Sequence, residues 1–143
     1  MANLSILLAR EAEVVEEFEF LDQWMDRYEH IIAQGKELPA AQDGIKTDDN
    51  LIRGCQSKVW MTAEKREGLV YFTADSDAII TRGLVALLLR VCNGLPPEVL
   101  AQANFGFLAD IGLTEHLSPT RANGLQSMMK QIRLYGLAFQ AQN

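Results

Sequence analysis

The residue best placed to do chemistry in this 143-residue chain is Cys55, in the run Leu51-Ile52-Arg53-Gly54-Cys55-Gln56-Ser57-Lys58-Val59-Trp60. A glycine precedes the thiol and polar residues follow it, the composition of a loop tip rather than of a core. The thiolate is the nucleophilic form of cysteine, and a thiol in such a place can attack, or be attacked by, whatever partner reaches it. Arg53 and Lys58 bring positive charge that favours the thiolate. Free cysteine is also among the most buried residue types, so these neighbours leave both a reactive and an inert Cys55 open. The second cysteine, Cys92, follows Leu88, Leu89 and Val91 and reads as an inert core thiol.

Other chemistry-bearing residues are scattered. His30 falls inside a helical pattern. His116 precedes Ser118 and Arg121 near the start of the last helix. A helix N-terminus and an arginine both stabilise a thiolate, so His116 and Arg121 are candidates to approach Cys55. Against that stands the reading in which Arg121 only caps or salt-bridges its own helix. Cys55, Cys92, His30 and His116 have no metal-ligand spacing, and there is no Cys-x-x-Cys. Nor is there a glycine-rich phosphate loop. Asp43, Asp48 and Asp49 read as a solvated loop, and Asp75-Ser76-Asp77 as capping oxygens.

Composition limits the function classes. Hydrophobic residues make up 48% and charged residues 22%, which suits an ordinary globular protein, and the expectation is one domain over residues 1–143. A formal net charge of −6 argues against nucleic acid, whose phosphates need a basic face. The N-terminus is briefly apolar but lacks the basic start of a secretory signal. No apolar run is long and uncharged enough to span a bilayer, since Arg82 and Arg90 interrupt the longest. The expectation is a cytoplasmic protein with free thiols and no membrane partner.

The elements around these residues follow from periodicity. Val14, Val15, Phe18 and Leu21 recur at helical spacing, as do Trp24, Tyr28, Ile31 and Ile32, with Asp22 as N-cap and a stop near Gly35. Leu38 to Asn50 reads as a loop leading to Cys55. Val59, Met61 and Ala63 then alternate with Lys58, Trp60 and Thr62, and Leu69 to Thr73 is rich in β-branched and aromatic types. With a charged turn at Lys65-Arg66-Glu67-Gly68 between them, these predict an antiparallel hairpin. Ala78 to Val91 predicts a helix buried on several sides, stopped by Asn93-Gly94. Pro96-Pro97 opens a short helix, Phe105 to Leu113 another, and Ser118-Pro119 starts the last, which runs towards Phe139. The sum is α+β: a small antiparallel β-sheet covered on one face by α-helices, with Cys55 at the sheet's edge.

Four ordered blocks carry a resemblance. Gly54-Cys55-Gln56-Ser57 before Val59-Trp60 resembles the motif of the SufE family of sulfur-acceptor proteins. Asp75-Ser76-Asp77-Ala78-x-Ile80-x-x-Gly83-Leu84 resembles that family's second block, and His116-Leu117-Ser118-Pro119-x-Arg121-x-x-Gly124-Leu125 its third. Upstream, Tyr28-x-x-Ile31-Ile32-x-x-Gly35-x-x-Leu38-Pro39 also fits. The likeness covers about Trp24 to the end of the last helix, while residues before about Phe20 match poorly.

The resemblance implies the fold of SufE and of IscU-type scaffolds. It implies a sulfur carrier and activator of a pyridoxal-phosphate cysteine desulfurase of SufS or CsdA type, rather than an independent enzyme. Cys55 would be the persulfide carrier, supported by Arg121, His116 and Gln56, and its sulfur would pass to a SufBCD-like iron–sulfur assembly complex. The CsdE branch shares the architecture, but Gln56-Ser57 looks more like the SufE branch. The pyridoxal phosphate belongs to the desulfurase, and no cofactor or metal of this chain's own is expected. The alternative is an iron–sulfur scaffold or metal-binding module of IscU type, although such scaffolds use several cysteines. A monomer and a homodimer are both compatible with the sequence. Persulfide transfer between thiols follows thiol–disulfide exchange, and an exposed persulfide would be lost to reductants. Cys55 is therefore expected to be partly sheltered and to swing out on docking.

Overall fold

Helix α1 (Ser5–Glu19) buries Leu7, Glu11, Val14 and Phe18, one face at helical spacing. Helix α2 (Trp24–Glu37) follows, and then the hairpin β1 (Val59–Arg66) and β2 (Leu69–Ser76). Helix α3 (Ile79–Cys92), the short helices α4 (Pro97–Ala101), α5 (Phe107–Asp110) and α6 (Leu113–His116), and the long α7 (Pro119–Ala141) complete the chain. These elements come from a computed structural model, which describes residues 2–39 and 43–142. Of the loop expected over Leu38–Asn50, residues 40–42 lie outside the described residues. The rest contains short 3-10 turns at Asp43–Ile45 and Asp48–Asn50, where Asp48 and Asp49 are exposed.

Helix α3 is the centre of the core. Leu84, Val85, Leu87, Leu88 and Val91 are fully or almost fully buried, so the helix that is apolar all round is covered on several sides. Removing side chains of this size from water stabilises the fold by ~1.5–3 kcal/mol each. Helix α2 crosses α3 backbone to backbone. A Cβ on Gly83 would fall 2.2 Å from the Ile31 carbonyl oxygen, and one on Gly35 2.7 Å from the Gly83 nitrogen. Gly35 is therefore a packing residue inside α2, which ends near it, at Glu37, as expected. Asp22 is not the cap of α2 either. Gln23 occupies that position without a side-chain cap, and Arg27 holds the α1–α2 linker by donating to the Leu21 and Ile111 carbonyls at 2.8 and 2.9 Å.

The hairpin pairs Val59 with Ser76 through to Arg66 with Leu69, antiparallel. The turn narrows to Glu67-Gly68, with φ of 53° and 82°. That is the two-residue geometry whose twist matches the strands, so Lys65 and Arg66, expected in the turn, pair with Val70 and Leu69 instead. Val59, Met61, Val70, Phe72 and Ala74 form the buried face. Helices α3 and α7 cover it: Tyr135 of α7 donates its hydroxyl to the Met61 carbonyl at 3.2 Å and meets Phe72 edge to face. Each edge of the hairpin is closed by a short bridge, Leu51 with Trp60 and Val70 with Leu95. The fold is α+β as the pattern predicts.

Two local expectations change. Asp75 and Ser76 end β2, and Asp75 is a buried carboxylate 3.5 Å from both Lys46 Nζ and Arg82 Nη1. Neither they nor Asp77 caps α3, whose N-cap position is Ala78 with no side-chain cap. The span Phe105–Leu113 is broken into α5 and α6, because Gly112 adopts a left-handed φ of 88°. Among the described residues no helix is long and apolar enough to cross a membrane.

Candidate functional site

The loop carrying Cys55 is anchored at its base by main-chain atoms. Ile52 N–H donates to the Val59 carbonyl at 2.8 Å. Lys58 N–H donates to Asp77 Oδ1 at 3.0 Å, and Ser76 Oγ donates to the Lys58 carbonyl at 2.9 Å. The acidic-serine block thus clamps the loop rather than capping a helix. Asp75 beside it holds Lys46, whose ammonium lies 5.6 Å from the Trp60 ring centroid.

Between these anchors the tip folds onto the N-terminal half of α7. Gly54 has φ +92°, the left-handed region that favours glycine, and a Cβ there would lie 2.5 Å from Ser127 Oγ. Any larger residue would force the Ser127 hydroxyl to shift and hold a strained φ. Next along, Cys55 Sγ donates to the Gly124 carbonyl at 3.5 Å, and a Cβ on Gly124 would sit 3.4 Å from the sulfur. Ser118 caps α7 by accepting from Arg121 N–H at 3.3 Å, with Pro119 in its first turn.

A cavity of about 80 Å³ lies beside the thiol. The loop contributes Cys55, Gln56 and Ser57, α3 contributes Thr81 and Leu84, and α7 contributes Thr120, Arg121, Gly124 and Met128. Its lining thus mixes hydroxyls and a guanidinium with the apolar Leu84 and Met128. The space is several times what one water needs. Cys55 is neither fully exposed nor in the core, but half-buried. Burial pushes its thiol up from the ordinary cysteine value. The positive charge of Arg53 and Lys58 was expected to favour the thiolate. Both side chains are exposed to water, which screens them, so burial dominates. At neutral pH the sheltered sulfur is a thiol, not a thiolate.

Gln56 and Arg121 both line the cavity with Cys55. His116 lies elsewhere. It ends α6, exposed, with its ring stacked on Trp24 at 4.2 Å and 9°. Cys92 is completely buried at the end of α3, and its thiol is pushed far up by that burial. Among the described residues no group of three or more histidine, cysteine or acidic side chains is placed to hold a metal ion. Thr81, Thr120 and Met128 were missed as lining residues. Thr81 carried a signal, a hydroxyl within the most apolar helix, whereas Thr120 and Met128 carried none.

The chain is similar to proteins of one kind. A family model described as SufE, an Fe-S metabolism associated domain, matches residues 12–135, and so reaches back into α1, where the motif blocks gave no match. An uncharacterised SufE-like protein of Rhizobium etli is 40% identical over 133 residues, covering 90% of each chain. One of Rhizobium meliloti is 39% identical over 126 residues, covering 85% of this chain and 90% of that one. One of Synechocystis is 36% identical over 129 residues, covering 90% and 81%. The solution structure of a hypothetical protein from Thermus thermophilus aligns at a TM-score of 0.74, with 20% identity over 90% of this chain and 94% of that one, a likeness of fold.

Proposed function

The chain belongs to the SufE family of Fe-S metabolism associated domains, and on that premise we propose that Cys55 accepts sulfane sulfur from the persulfide of a cysteine desulfurase and carries it to iron–sulfur cluster assembly. The observation that carries this reading is the seat of the thiol. Cys55 Sγ rests against Gly124, half-buried, with a cavity of about 80 Å³ beside it. That space can shelter one added sulfur from cellular reductants.

The transfer balances without a metal or an external oxidant. The Cys55 thiolate attacks the outer sulfur of the donor's Cys–S–SH. A bond forms between Cys55 Sγ and that sulfur, the donor's S–S bond breaks, and the donor leaves as a thiolate. The proton released by Cys55 ends on the donor, so the products are a Cys55 persulfide and a donor thiol. The attacking thiolate must first form, and burial opposes this in the isolated protein. Docking that lifts the tip off α7 removes that opposition. In this reading Gln56 and Arg121, which line the cavity, steady the loop or meet the partner. His116, on the Trp24 stack, acts at most through the partner surface.

The test is mass spectrometry after incubation with a cysteine desulfurase and cysteine. A one-sulfur adduct should appear on the wild type and on Cys92→Ser but not on Cys55→Ser. Sulfur uptake by Cys55→Ser at the wild-type level overturns the proposal. A Cys55→Ser variant that still fully stimulates the desulfurase would reduce the protein to an activator by contact.

A further inference from the structure

On the far side of α1 a second cavity, of about 610 Å³, opens between that helix and the α5 segment. Glu11, Val15 and Glu19 lie along one face of α1, four residues apart, and line it with Glu16, Phe107 and Asp110. The lining among the described residues contains four carboxylates and no basic side chain. Arg10, the adjacent cation in sequence, turns away and donates to the Val91 and Asn93 carbonyls. At the cavity floor Glu11 is only 8% exposed, and its Oε2 has no hydrogen-bond partner. Burial and the nearby Asp110 push the Glu11 carboxyl up, although the Phe107 main-chain N–H opposes this. An unpaired buried carboxylate oxygen is costly, and it is relieved either by taking up a proton or by pairing with a positive charge.

We propose that this cavity is a binding site for an organic cation on an aliphatic stem, a guanidinium or ammonium whose charge meets Glu11 and Asp110 while its methylenes lie over Val15 and Phe107. The apolar part of the lining selects an organic cation over a metal ion, since hard divalent ions require a shell of oxygens. A guanidinium fits best, because its planar fork can supply two N–H donors to one carboxylate. Free polyamines and the arginine side chain of a partner protein share this chemistry. The inference is independent of the role of Cys55.

The experiment is titration of the ¹⁵N-labelled full chain with agmatine in one arm and N-acetylarginine methylamide in the other, at fixed ionic strength. Saturable shifts are expected at the amides of Glu11, Val15, Phe107 and Asp110. Affinity in Glu11→Gln should fall at least ~10-fold, the loss of a charge-assisted hydrogen bond. That variant keeps the side-chain shape and removes an unpaired charge, so it should fold. The double variant Glu16→Gln/Glu19→Gln, on exposed positions, provides a second reading and should weaken binding several-fold. Binding of agmatine alone identifies a free amine as the ligand, and binding of the blocked arginine identifies a protein side chain. Absence of saturable shifts in both arms overturns the proposal. So does binding by both variants within about twofold of wild type, a difference well under 1 kcal/mol.

Discussion

Gly54 and Ser127 are packed so closely that a single methyl group on Gly54 would lie 2.5 Å from Ser127 Oγ. Gly54 also holds a left-handed φ of +92°. These are separate constraints. Gly54→Ala should destabilise the fold by ~1–2 kcal/mol from the backbone conformation alone, with the contact to Ser127 adding to it. Adding Ser127→Ala, which removes Oγ and leaves a Cβ 3.5 Å away, should recover only the contact part. Urea midpoints of Gly54→Ala, Ser127→Ala and the double variant measure this. A Gly54→Ala variant as stable as wild type would show that the tip is not held as described.

Gly124 faces the sulfur instead. A Cβ there would sit in ordinary contact, 3.4 Å from Cys55 Sγ. Alanine is preferred to glycine inside a helix by up to ~1 kcal/mol, so Gly124→Ala should keep or raise stability. It should also slow sulfur uptake, because the methyl group narrows the cavity that the added sulfur needs. Unfolding midpoints together with the persulfide assay separate the two effects. Unchanged uptake would mean that the space beside Gly124 is not used.

Burial that pushes the Cys55 thiol up has a kinetic consequence. Alkylation of native Cys55 by iodoacetamide should reach half its limiting rate at a pH above that of free cysteine, and in urea the midpoint should return to the ordinary value. Adding the desulfurase should lower it. Stability follows the same linkage. The folded state holds the proton more tightly than the unfolded state, so this contribution is fully present below the unfolded-state value and is lost as pH rises through the folded one. A native midpoint at or below that of free cysteine would contradict the sheltered seat.

Glu17 behaves in the opposite sense. The Arg90 guanidinium, 2.5 Å from its Oε2, holds the carboxyl below its usual range, with His30 contributing. A lowered folded-state value stabilises the protein above the unfolded-state value, and this is lost as pH falls through the folded one. Arg90→Gln should therefore be less stable than wild type at neutral pH, and the difference should vanish in acid. Denaturant titrations over the acid range test this, and a gap independent of pH would refute the pairing.

Strong local signals carried much of the fold. The alternation from Val59, the Ser118-Pro119 start and the apolar run through Leu84 to Val91 each correspond to an element at nearly the expected place. What the chain did not disclose depends on the third dimension. That Gly35 is a packing residue, set against Gly83, shows only in three dimensions. Asp75 looked like a cap because its partners, Lys46 and Arg82, lie 29 and 7 positions away in sequence. Cys55 was legible through Gly54 and the polar residues after it, and Arg121 through its helix start. The charge effect expected on the thiol was overridden by burial, which no spacing reveals. His116 shared a motif with Arg121, but α6 turns its ring onto Trp24.

The base of the Cys55 loop is fixed through the main chain of Ile52, Lys58 and Val59, whatever side chains those residues carry. Attachment and content are therefore separable. Substitutions at the tip between the anchors leave the main-chain hydrogen bonds of the frame in place. The two residues outside that freedom are Gly54, which must fit under Ser127, and Cys55 itself.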